Sequence, residues 1–348
     1  MIWLGIFYKR KGVIVPVNYE GIIDTYLRKH MEQDDRDDWW SDFLKQHKLE
    51  NKVKDLDTYD KSVGNEPKTK RICLEVYSKY DEIKQLLEET KQQLLNDFGK
   101  IEQVHLQSGR VKSKNSLIEK IIRKRHEYIA SQTSDYARLN SENYVDVITD
   151  LVGIRLIVNY RGKWQDIHKI ILDHFPLKEL NSYENIDHLP HIEGEDFLAQ
   201  IPIAYYAYGD DIQQYIDANI QAKQHKQGYR SIHYVISYNK CYIELQVRTI
   251  YDEAWSDCDH NYVYKHEANP SNRALQELSH ILCEITNVAN DIGDNMHDIF
   301  MQEKLTKADG SAWIATGEDI NFFREMIEKL HEAELELCKF SEKLVLEN

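Results

Sequence analysis

The stretch Cys241–Lys265, CYIELQVRTIYDEAWSDCDHNYVYK, decides how the rest of the chain is read. It opens with strict alternation. Ile243, Leu245 and Val247 fall on one face of an extended segment, and Glu244, Gln246 and Arg248 fall on the other. Thr249 then reads as a helix N-cap with Asp252 three residues on, a short form of the capping box. A helix from about Ile250 carries Trp255 and His260, with Tyr264 and Lys265 just beyond. One strand thus presents a carboxylate, an amide and a guanidinium in a row. A half-exposed strand with a solvated polar face has the same pattern, so the case for chemistry depends on what other stretches supply.

The first such stretch is Gln107–Lys112, QSGRVK, followed by Ser116 and Glu119, which read as a capping box opening a helix. Leu117, Ile118, Ile121 and Ile122 give that helix a buried face. Arg110, Lys112, Lys114, Lys120, Arg123, Lys124 and Arg125 crowd its start and polar side, and Lys120 and Lys124 stack four apart. The net charge of the chain is −15, so this local concentration of cations stands out. It reads as a solvated basic helix or as an anion cradle at a helix N-terminus.

The second stretch, Ile148–Val158 (ITDLVGIRLIV), has the near-continuous apolar character of a strand buried on both faces. Asp150 at its mouth is costly unless it is an ion-pair partner, a cap or a ligand of a cation. The third, Gly228–His233 (GYRSIH), leads into YVISY and a turn at Asn239–Lys240. Residues 232–248 therefore read as a β-hairpin, with Tyr229 and His233 within reach of Glu244. A packed surface tyrosine and a satisfied core histidine are the plainer readings of those two.

The remainder is organised around these pieces. Residues 1 to about 65 read as helical, with an acidic cluster beside Trp39 and Trp40. The stretch 61–70, KSVGNEPKTK, reads as a linker, and a long helix runs from Ile72 to about Phe98, stopped by Gly99. A helix is expected over roughly Trp164–His174. The tyrosine-rich region from Asn181 to about Gln221 is expected to hold a loop and a helix. From Asn272 onward the pattern is helical, heptad-like over Phe322–Leu344, as in packing or self-association helices.

The 348 residues suffice for a sizeable core, and a 42% hydrophobic fraction with 22 tyrosines is globular. The acidic balance argues against general adhesion to nucleic acid or an anionic membrane, without excluding a local basic site. Five widely spaced cysteines suit free thiols in a reducing compartment. Cys258 and His260 lack the second pair a zinc site needs. The opening MIWLGIFYKRKG has too short an apolar run, with its charges on the wrong side, for a signal peptide. No apolar run reaches membrane-spanning length, and a cytoplasmic protein is expected.

Taken in order, GRVKS…SLIEK, TDLVGIR, GYRSIHY, IELQVRT and W…DHNYVYK resemble the RelA/SpoT synthetase domain of the GTP pyrophosphokinase family. The resemblance spans about residues 101–266. It implies an α+β, nucleotidyltransferase-like fold, a mixed sheet flanked by helices, over 101–270. Residues 1–100 and 271–348 become helical N- and C-terminal extensions. It also implies transfer of the β,γ-pyrophosphate of ATP to the 3′-hydroxyl of GDP or GTP. In that scheme Arg110, Lys112 and Lys120 hold the ATP phosphates, with Lys124 and Arg155 on the same side. Asp150 and Glu244 hold Mg²⁺, and Glu244 accepts the attacking hydroxyl's proton. Tyr229 stacks on the acceptor base, and His233, Gln246 and Arg248 line the acceptor side.

Three features depart from the family pattern. The His…His-Asp hydrolase site of long members has no counterpart ahead of residue 101, and His297–Asp298 lies at the wrong end, so hydrolysis is not expected. The 181–221 insert lengthens the interval between Asp150 and Tyr229. The lysine ahead of the GY motif is only approximated by Lys226. These leave the acceptor open among guanine nucleotides, adenine nucleotides and the 3′ end of tRNA, with self-association through the terminal helices and a catalytically idle scaffold as further expectations.

Overall fold

The computed structural model describes residues 33–131, 134–177, 196–263, 272–309 and 317–346. Among the described residues three helices come first: α1 (Gln33–Gln46), α2 (Glu50–Ser62) and α3 (Thr69–Phe98). The break between α2 and α3 falls within the expected linker, and α3 begins three residues before Ile72. Then follow β1 (Leu106–Val111), α4 (Lys114–Glu127), the single turn α5 (Tyr144–Val147), β2 (Val152–Val158) and α6 (Trp164–His174). The insert supplies β3 (Phe197–Leu198), β4 (Ile203–Tyr206), α7 (Gln213–Asp217) and β5 (Gln221–Gln224). It holds the expected helix, and also two four-residue strands that the sequence did not announce. Residues 181–195 of that region lie outside the described residues, as do Tyr264 and Lys265. The chain continues through β6 (Ser231–Tyr238), β7 (Cys241–Thr249), α8 (Ile250–Cys258), α9 (Asn272–Asp309) and α10 (Gly317–Leu346).

The strands form one mixed sheet in the order β1-β2-β7-β6-β4-β5, with β3 on β6. β2 and β7 run parallel at its centre, and β1 and β6 flank them antiparallel. The expected hairpin is present. Asn239 and Lys240 both take positive φ, +48° and +61°, as a two-residue connection between twisted strands requires. Asn239 also donates to Gln93 Oε1 on α3 at 2.8 Å, which pins the hairpin tip.

The alternation in β7 resolves as read. Ile243, Leu245 and Val247 are buried, whereas Glu244 and Gln246 are partly open. Ile154, Leu156, Leu245 and the apolar face of α4 join a single core with α3. Gly109 lets α3 approach β1, because a Cβ there would lie 2.8 Å from Ile154 Cδ1 and 3.0 Å from Lys91 Cγ. At the other side of the molecule α8 packs on α9, and α9 on α10, where Met326 and Ala333 are buried. The fold is thus a mixed sheet flanked by helices with helical extensions, as expected. No helix among the described residues is long and apolar enough to cross a membrane.

Candidate active site

Sheet register lines up the polar residues. Arg110 on β1 pairs with Gly153 on β2, which pairs with Glu244 on β7. The next row runs Ser108, Arg155, Gln246 and then His233 on β6. Paired residues project to the same side of a sheet, so these two rows share one face. A small cavity of about 110 Å³ opens between Ser108, Arg110, Gly153, Arg155, Glu244 and Gln246. Arg110 is exposed at its edge, with no ion-pair partner among the described residues.

Glu244 is held at both oxygens. Gln246 Nε2 donates to Oε2 at 2.8 Å, and His233 Nδ1 lies 3.4 Å from Oε1. Burial would raise the Glu244 pKa, but His233 overcomes it, so the carboxyl is held below its ordinary range. Asp150 is close enough to oppose this and Lys120 to assist. The other face of His233 continues the chain of contacts, since Tyr229 OH lies 2.8 Å from Nε2.

Asp150 sits in the turn before β2 and meets two lysines. Lys112 Nζ donates to Oδ2 at 2.7 Å, and Lys120 Nζ is 2.8 Å from Oδ1. All three side chains are less than 15% exposed. Burial alone would push the Asp150 carboxyl up, yet the two ammonium groups bring it down to about 2. Burial lowers the Lys112 pKa on balance, whereas for Lys120 the attraction of Asp150 outweighs burial and raises it. Asp150 is therefore an ion-pair partner in this conformation, one of the roles its position allowed.

The basic helix α4 differs from its expected form in two respects. Its N-cap is Ser113, whose Oγ accepts from the Ser116 amide at 3.2 Å, so the cap lies three residues ahead of Ser116. Arg125 is also not on the polar side. It is 3% exposed and donates to the Leu139 carbonyl at 2.8 Å. Lys114 pairs with Asp81 and Lys124 with Glu127, at 2.6 and 2.8 Å. Lys124 also lies over the rings of Tyr128 and Tyr136. Arg123 is exposed.

The acceptor-side residues form an aromatic group. Tyr229 and His233 meet edge to face with centroids 5.7 Å apart. Tyr205 on β4 joins at 4.8 Å from His233 and 5.8 Å from Tyr229, and His225 completes the group at 5.5 Å from Tyr229. Burial lifts the Tyr229 and Tyr205 hydroxyl pKa values and lowers that of His225, which keeps all three rings neutral. Tyr205 was not legible as a site residue because it lies on β4 of the insert and reaches Tyr229 through the pairing of β4 with β6, and His225, in the connection just after β5 and four residues before Tyr229, carried no pattern of its own. Gly228 holds the GY turn at φ +81°, and a Cβ there would stand 2.5 Å from Cys283 Sγ on α9.

Arg248 lies beneath this group. It is 4% exposed, its guanidinium is 5.7 Å from the Tyr229 centroid, and Nη1 donates to Ser256 Oγ at 2.8 Å. Glu253, on the first turn of α8, pairs with both Arg248 and Arg155. A larger cavity of about 690 Å³ lies beyond Arg248, toward α9 and α10. Its remaining arginines are already engaged, Arg161 by Asp291 and Arg230 by Asp210.

Arg110, Lys112, Lys120, Asp150, Arg155, Tyr229, His233, Glu244, Gln246 and Arg248 are thus assembled on and around one sheet face, and Lys124 is at its margin. Residues 109–269 match the family described as the region found in RelA / SpoT proteins. No curated protein matches the chain. Among solved structures, a GTP pyrophosphokinase family protein from Streptococcus pneumoniae is 18% identical, over 66% of this chain and 93% of that one, with a TM-score of 0.38. Small alarmone synthetase 1 from Bacillus subtilis, bound to its product pppGpp, is 16% identical over 63% and 90%, with a TM-score of 0.36. Small alarmone synthetase 2 from the same organism is 17% identical over 65% and 96%, with a TM-score of 0.37.

Proposed function

We propose that this chain, which carries a RelA/SpoT region, is a pyrophosphotransferase that moves the β,γ-pyrophosphate of ATP to the 3′-hydroxyl of GDP or GTP. The observation that carries the reading is the adjacency, on one face, of the Glu244–His233–Tyr229 chain and the Arg110–Gly153–Glu244 row. A carboxylate lies between an aromatic group suited to a base and a set of cations suited to phosphates.

In this reading Tyr229 stacks on the acceptor base, with Tyr205 and His225 closing the pocket and Arg248 supporting it from below. Arg110, Lys112, Lys120 and Arg155 receive the ATP phosphates, and Lys124 acts at the periphery. The 3′-oxygen attacks the β-phosphorus, the bond from that phosphorus to the α,β-bridging oxygen breaks, and AMP leaves with that oxygen. The hydroxyl proton passes to Glu244, whose carboxylate stays ionised because His233 and Gln246 stabilise its charged form. Such chemistry asks the protein for position and charge, and little covalent help.

Two carboxylates and the substrate's own phosphates form the all-oxygen set that Mg²⁺ prefers, so Asp150 and Glu244 fit as its holders. When bound, the ion neutralises charge on the transferred group. Lys112 and Lys120 pair with the two Asp150 oxygens, so this chain's part is an exchange in which both lysines move from Asp150 to phosphate.

The reading is tested with ATP labelled in its γ-phosphate, offered with GDP, GTP, AMP or deacylated tRNA. Label on GDP and GTP is the expected result. Label on tRNA or AMP with none on guanine nucleotides would reject the acceptor assignment, and no transfer to any of them would reject the activity.

A further inference from the structure

Glu253, like Glu244, touches both halves of this face. It stands in the first turn of α8, directly after β7, and Thr249 fixes that turn by accepting from the Asp252 amide at 3.1 Å. Its Oε1 accepts from Arg155 Nη1 at 2.8 Å. Its Oε2 lies 2.5 Å from Arg248 Nη2. Arg155 lines the small cavity with Arg110 and Glu244, whereas Arg248 lies against the Tyr229 ring. Across the sheet the two arginines are near neighbours, because Arg155 pairs with Gln246 and Ile157 with Arg248.

The two partners are not equivalent. The Arg248 side chain is 2% exposed and has a second anchor at Ser256, while that of Arg155 is 34% exposed. A buried guanidinium depends on its counter-charge, since removal of one partner of a buried pair leaves the other uncompensated. An exposed guanidinium can change partners at little cost. Phosphate arriving in the cavity therefore competes with Glu253 for Arg155 alone.

We infer that Glu253 is a positioning residue that locks Arg248 under the acceptor pocket and holds Arg155 in reserve for the donor phosphates. This rests on the proposed reading of the two pockets. Its consequence is an asymmetry: neutralising Glu253 loosens the acceptor pocket and frees a cation for the donor. A purely structural carboxylate would affect both pockets alike or neither.

The experiment is calorimetric titration of wild type, Glu253→Gln, Glu253→Asp and Arg155→Ala with GDP and, separately, with a non-cleavable α,β-methylene analogue of ATP. Glu253→Gln should weaken GDP at least tenfold and leave the ATP analogue unchanged or tighter. Glu253→Asp, which keeps the charge for Arg248, should recover most of the GDP affinity. Arg155→Ala should weaken the ATP analogue and spare GDP. Equal losses for both probes in Glu253→Gln, or no loss of GDP, would overturn the inference. If Glu253→Gln does not fold, Glu253→Asp and Arg155→Ala still decide it, and it fails if Arg155→Ala leaves the analogue's affinity intact. A wild type that binds neither probe defeats the functional reading itself, and the inference with it; a wild type that binds both isolates the test to Glu253.

Discussion

Substitution of Asp150 by asparagine removes one negative charge from between two buried ammonium groups while preserving volume. Lys112 and Lys120 then face one another across a neutral amide, at side-chain exposures of 9% and 13%. The magnitude can be reached in two ways. The Asp150 carboxyl stands at about 2 against 3.8 for the free group, which by linkage is about 2 kcal/mol of stability at neutral pH. Breaking a buried pair by deleting one partner costs about 3–5 kcal/mol, because the remaining charge is stranded. We expect a loss of roughly 2–4 kcal/mol in urea denaturation at pH 7, with an unchanged m-value, together with loss of transfer activity. The control is the triple variant Asp150→Asn, Lys112→Met, Lys120→Met. With no charge left to strand, it should regain most of the stability and none of the activity. An Asp150→Asn protein as stable as wild type would refute the buried-triad argument, and one that retained full activity would remove Asp150 from the site.

Other predictions follow from the same contacts. The Asp150 pKa is depressed, so its contribution to stability is present above about pH 4 and lost as pH falls from there toward about 2; acid titration of wild type should show this loss and Asp150→Asn should lack it. Glu244→Gln should abolish transfer and leave the melting temperature within a few degrees of wild type, because Gln246 and His233 can still bond a neutral amide; retained transfer would remove Glu244 from the chemistry. Tyr229→Ala should cost tenfold or more in kcat/KM for the acceptor, the loss of a stack of about 1–3 kcal/mol, while Tyr229→Phe should cost much less; equal effects would mean that the hydroxyl, not the ring, is what matters. Arg125→Glu should unfold the protein or destabilise it by about 3 kcal/mol or more, since it places a carboxylate against the Leu139 carbonyl; a folded variant with selectively lost activity would return Arg125 to the binding surface.

The legible parts of this structure are those governed by local period. Strict alternation in β7 and the apolar run of β2 identified the central strands, and the Thr249 cap fixed where β7 ends. Arg125 shows where such reading fails, although its signal was available. It lies three and four residues beyond Ile122 and Ile121, on the apolar stripe, and its charge drew it to the wrong face. Ser116 lost the cap to Ser113 because both are serines three residues apart, and only backbone conformation distinguishes them. β4 and β5 are four residues each, too short for a period to register. Tyr205 entered the site through the pairing of β4 with β6 and Glu253 through its contact with Arg155 on β2, which no local pattern encodes, and His225, though only four residues from Tyr229, carried no pattern of its own. The site residues taken from the motifs were nearly all brought to one face, but the ion pairs among them, Asp150 with Lys112 and Lys120 above all, became visible only in three dimensions.

The central claim is that an intact pyrophosphate moves in one step. Phosphorus NMR of a reaction containing ATP, GDP and Mg²⁺ tests it directly. The account predicts one AMP formed for each acceptor that gains a 3′-diphosphate, with no ADP intermediate. ADP in step with a singly phosphorylated acceptor, or inorganic phosphate with the acceptor unmodified, would contradict it.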